Sequence, residues 1–75
     1  MLVPMKGSIL RIVFERVAPH ISNLDDIKAL VDEIEKKTDS MDSIIQELEL
    51  RLEDAEVTLR TDIRILINEC RHLKR

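Results

Sequence analysis

The sequence predicts an all-α protein: a long helix over about residues 22–74 in an oligomeric coiled coil or helical bundle, preceded by a short helical segment over about 9–18 and a flexible leader. Three observations predict it. Apolar residues recur three and four apart from Leu24 to Leu59, a mean spacing of 3.5 that keeps one helix seam facing a partner. The one Gly and two Pro of the 75 residues all precede residue 21, so neither of the strongest breakers interrupts the rest of the chain. Phe14 is the only aromatic residue while 36% of the chain is charged, a composition of long helices rather than of a small aromatic-rich core. A single compact core of this size is marginal.

Residues 1–8 read as a flexible leader with the look of a tag remnant, and are given no function. Residues 9–21 form a short apolar segment ending at Pro19. Ile9, Leu10, Val13, Phe14 and Val17 belong to it, and the last four are spaced like one helix face. Its β-branched content also suits a strand, but no second strand-like segment exists to pair with it. The apolar surface is wider than a two-helix seam needs, so these five residues are candidates for contact with a partner. Pro19 ends the segment, because proline lacks a backbone donor and clashes with the preceding turn.

Residues 22–75 are the coiled-coil unit. Ser22 is placed to cap the new helix, with Asp25 returning the contact and Asp25 and Asp26 complementing the helix dipole. About 50 residues at 1.5 Å each give a helix of roughly 75 Å. Leu24, Val31, Thr38, Ile45, Leu52 and Leu59 take the a positions and Ile27, Ile34, Met41, Leu48 and Ala55 the d positions. The next d would be Asp62. Apolar residues resume at Ile63, Leu66, Cys70 and Leu73. The four-residue steps from Ala55 to Leu59 to Ile63 form a stutter that should unwind the supercoil near 58–66. All fifteen of these positions are the expected oligomer interface. Thr38 is the polar layer within it.

Ile27 and Ile34 at d, with Leu30, Ile44 and Ile65 flanking the seam, favour three or four helices over two. The pairs Lys37–Asp42 and Arg51–Glu56 would suit parallel strands. The charge layout points the other way. Residues 22–56 hold twelve acids against four basic residues, a balance of −8, whereas 1–21 carry +2 and 57–75 carry +3. An antiparallel or staggered arrangement, or a basic partner helix, relieves that repulsion.

No catalytic constellation is visible, so no enzyme is expected, and no cofactor. Cys70 and His72 point to different helix faces, and His20 lies fifty residues away, so no metal site is expected. The acidic middle and lack of aromatics argue against nucleic-acid binding. No apolar run reaches the ~20 residues of a transmembrane helix. One cysteine and no signal-peptide pattern point to the cytoplasm. The expected function is a non-enzymatic oligomerisation or scaffolding module acting through a coiled coil of three or four helices. The alternative is a small adaptor subunit that folds with other helical proteins. Short subunits of trafficking, cytoskeletal and kinetochore assemblies share this look, which is compositional and rests on no motif.

Overall fold

A computed structural model of the chain describes residues 9–38 and 40–74; the proposed leader over 1–8 lies outside them. Helix α1 spans Ile9–Val17 and runs into a 3₁₀ turn at Ala18–His20. Helix α2 spans Leu24–Lys37, α3 spans Met41–Asp54 and α4 spans Val57–Lys74. The described residues contain no strand. The short segment before Pro19 is helical, as its spacing implies.

The single helix expected over 22–74 is three helices folded against one another. The bundle measures 39 × 24 × 21 Å, where an unbroken helix would reach roughly 75 Å. The first break separates α2 from α3, with Thr38 on one side and Ser40 on the other. Thr38 is fully extended (φ −162°, ψ 154°) and ends α2. Its hydroxyl accepts the Ser40 N–H at 3.1 Å, and extended Ser40 leads into α3. Thr and Ser offer local hydrogen bonds that compete with helix continuation. Thr38 is therefore a helix terminator here rather than a seam layer. The second break is Ala55-Glu56. Ala55 is extended (φ −75°, ψ 148°), and the Glu56 carbonyl accepts the Leu59 and Arg60 N–H groups at 2.9 and 3.2 Å to open α4. No strong local breaker stands there. The turn coincides with the onset of the four-residue steps, where the seam loses its register; the chain reverses instead of unwinding.

The helices alternate in direction. Arg11 of α1 holds Asp32 and Glu35 near the end of α2. Arg16 holds Glu69 while Asn23, further on, meets Asp62, so α1 runs against α4. Lys74 and Arg71 reach Asp42 and Glu49, so α3 and α4 form an antiparallel hairpin. Within the chain, Lys37 holds Glu47 and Arg51 holds Glu33, between α2 and α3.

One core fills the space between them. Leu10, Val13, Phe14 and Val17 come from α1 and Ile21 from the joint; Ile27, Val31 and Ile34 come from α2. Ile44, Ile45 and Leu48 of α3 meet Ile63, Leu66, Ile67 and Cys70 of α4. Met41, Leu52, Ala55, Leu59, Leu30 and Ile65 pack half-buried at its margin.

Leu48 is 0% exposed and Leu50, two residues on, is 59% exposed. Leu48→Ala should cost about 2–5 kcal/mol. Leu50→Ala should stay within about 0.5 kcal/mol. Urea unfolding followed by circular dichroism measures both, and equal losses would contradict this packing.

Candidate functional site

The polar centre of the molecule is Asp62, the residue at which the seam fails. It is 1% exposed, the one buried charged side chain among the described residues. Helix α4 carries it on the face that holds Ile63, Leu66 and Cys70, so the carboxylate enters the bundle. Its oxygens accept the Ser22 N–H at 3.1 Å, the Asn23 N–H at 3.0 Å and the Asn23 Nδ2–H at 3.0 Å. Asn23 Nδ2 also donates to the Thr58 carbonyl at 3.0 Å. Asp62 thus caps the start of α2 from another helix. Neither Ser22 nor Asp25 makes the expected capping box: α2 begins after Asn23 with no side-chain cap of its own. Burial alone would push the Asp62 carboxyl up, but its bonds from Ser22 and Asn23 outweigh that and hold it below the usual carboxylate range.

The other charged groups are spread as inter-helix ties. Arg11 donates from Nη2 to Asp32 and Glu35, both at 2.9 Å, and from Nε to Glu35 at 3.2 Å. The bond to Glu35 raises the guanidinium above its ordinary pKa. On the open surface, the bond from Arg51 lowers the Glu33 carboxyl. A shallow cleft between α3 and α4 is lined by Asp42, Ile45, Gln46, Glu49, Arg71 and Lys74, and its charges are already matched by Lys74–Asp42 and Arg71–Glu49.

Nothing among these groups forms a nucleophile with a base. Cys70 is 0% exposed, and burial, then Glu69, pushes its thiol up to about 11. It is a small apolar core residue, while His72 is exposed. No group of three or more His, Cys, Asp or Glu among the described residues is placed to hold a metal. Among the described residues no helix is long and apolar enough to cross a membrane.

The residues assigned to contact between chains are placed as follows. Ile27, Val31, Ile34, Ile45, Leu48, Ile63, Leu66 and Cys70 are buried within one chain, together with Leu10, Val13, Phe14 and Val17. Met41, Leu52, Ala55 and Leu59 are half-buried against that core, and Thr38 sits in the α2–α3 connection. Leu24, Leu73 and Ile9 are left 44%, 40% and 37% exposed. Ile21 and Ile67 complete the core without having been expected there. The adjacent pairs Ile44-Ile45 and Leu66-Ile67 carried the signal, since two neighbouring apolar positions make a stripe wider than a seam.

A scan of protein-family models matches none, and searches of curated proteins and of solved structures return no significant match.

Two outcomes follow from these buried groups. Asp62→Ala should cost about 1–3 kcal/mol by stripping three donors of their acceptor. Because the folded Asp62 pKa is depressed, the unfolded chain binds more protons in acid. Its contribution is full above the ordinary Asp value of about 3.9 and fades as pH falls through the lower folded value. Urea midpoints at neutral and acid pH should show that loss in the unaltered chain and a smaller one in Asp62→Asn. Separately, Cys70 should resist a thiol reagent in the native protein and react at once in denaturant. Rapid native labelling would mean the core opens readily.

Proposed function

We propose that this chain is a non-enzymatic interaction module whose work is association, with itself in the first place. One observation carries this reading. Ile9, Ile12, Leu24, Leu50, Val57 and Leu73 stay between 37% and 82% exposed on formed helices although the core is closed without them. Single exposed apolar residues are ordinary, but six in so small a bundle leave surface for another helix. The heptad spacing supports assembly by helix-on-helix packing of the coiled-coil kind, with three or four helices meeting. The chain's own helices already cover most of the seam, so assembly uses the outer faces. The buried, unreactive Cys70 suits a reducing compartment such as the cytoplasm.

A second reading is favoured by α1. Ile9 and Ile12, 37% and 51% exposed, lie one turn apart beside the Arg16–Glu69 tie. That face suits an adaptor that docks a helical partner protein.

Sedimentation of the full chain over micromolar to millimolar concentrations tests the first reading. Reversible association with high helicity and cooperative melting is the expected result. A monomer throughout would refute self-association. Low helicity that rises only on mixing with a helical partner would favour the adaptor.

A further inference from the structure

The outer face of the α3–α4 hairpin has two unlike ends. At the end far from its turn, Lys74 holds Asp42 and Arg71 holds Glu49, so the charges are matched within the chain. At the turn end they are not. Of the six described arginines, Arg11, Arg16, Arg51 and Arg71 each hold a carboxylate. Arg60 and Arg64, one turn apart and exposed on α4, make no ion pair among the described residues. Three residues before Arg60 stands Val57, the most exposed large apolar side chain at 82%. Helix α3 carries the counterpart. Leu50 is 59% exposed, and Glu53 and Asp54, three and four residues on, are exposed and likewise unpaired among the described residues.

We propose that this turn end is a self-association surface, on which Val57, Arg60 and Arg64 of one copy meet Leu50, Glu53 and Asp54 of a second, and reciprocally. The patches match in sign: Arg60 and Arg64 stand three and seven positions after Val57, and Glu53 and Asp54 three and four after Leu50, so each apolar residue shares a helix face with its charges. They also lie at the same height, because both flank the Ala55-Glu56 turn. A two-fold axis parallel to the hairpin preserves height, so it sets α3 of one copy opposite α4 of the other, with Val57 beside Glu53 and Asp54 and Arg60 beside Leu50 and next to Glu53, twice over. Such an isologous contact closes at a dimer. Arginine is enriched at interfaces, and charges that attract across this contact at once repel any copy docked α3 on α3. The patch is small, so the dimer is weak and depends on salt. This inference rests on the interaction-module reading and assigns its surface.

Sedimentation equilibrium of the full chain at low and high salt is the test, since raising ionic strength from about 0.01 M to 1 M shortens the screening length from about 30 Å to 3 Å. A dimer at low salt that weakens at least about tenfold at high salt is expected. A dimer indifferent to salt overturns the proposal without any substitution. Two charge-reversed variants, R60E/R64E and E53R/D54R, checked for native helicity, should each be monomeric alone and should dimerise when mixed in equal amounts. Either variant dimerising alone as tightly as the unaltered chain, or a mixture of folded variants that stays monomeric, overturns this surface and leaves the module reading standing. A monomeric unaltered chain overturns self-association as well, and capture of an acidic helical peptide by that monomer would give the α4 patch to a foreign partner.

Discussion

Each described helix has one apolar stripe, and α1, α2 and α3 have too few turns to stand alone. Helices shorter than about 12–15 residues are marginal in water, because nucleation costs more than a few backbone bonds return. Helix α1 has 9 residues, α2 and α3 have 14 each and α4 has 18. Their stability comes from burying the stripes together, and that requirement shapes everything else. A continuous helix over 22–74 would display one seam and wait for another chain. Folding at Thr38–Ser40 and at Ala55–Glu56 supplies the facing surfaces at once.

The polar contacts then fix how the stripes meet. Asp62 binds a joint forty residues earlier in the chain, so the first and last thirds cannot slide independently. The ion pairs answer the charge imbalance of the sequence. Arg11 from the basic start neutralises Asp32 and Glu35 of the acidic middle. Arg71 and Lys74 from the basic end neutralise Glu49 and Asp42. The antiparallel arrangement that the charge layout calls for is realised inside one chain. Individually such exposed pairs contribute little, about 0–1 kcal/mol each; their effect is to disfavour other orders of the helices.

What remains on the surface bears on function. Arg11, Arg16, Arg51, Arg71 and Lys74 are matched across helices, and Cys70 is buried with its thiol pushed up to about 11. The outer positions instead combine lone apolar side chains with unmatched charge, most plainly around the α3–α4 turn. That combination is the basis of the proposed recognition of another helix.

Local pattern was enough to mark the class of structure and most of the core. The three-and-four spacing marked Ile27, Val31, Ile34, Ile45 and Leu48 for burial, since periodicity is a local property that survives any later folding. Pro19 ended α1 for the same local reason. The break between α2 and α3 was not read: the spacing placed Thr38 as a polar layer of the seam, and neither Gly nor Pro announces the stop. The turn at Ala55-Glu56 and the cap on α2 were not legible. Alanine and glutamate are good helix formers, and the helix stops there because α3 and α4 bury more by doubling back than by running on. Asp62 looked like a failure of the pattern. Only the tertiary structure brings it to the Ser22 and Asn23 amides, because a cap supplied from another helix has no fixed spacing to read along the chain.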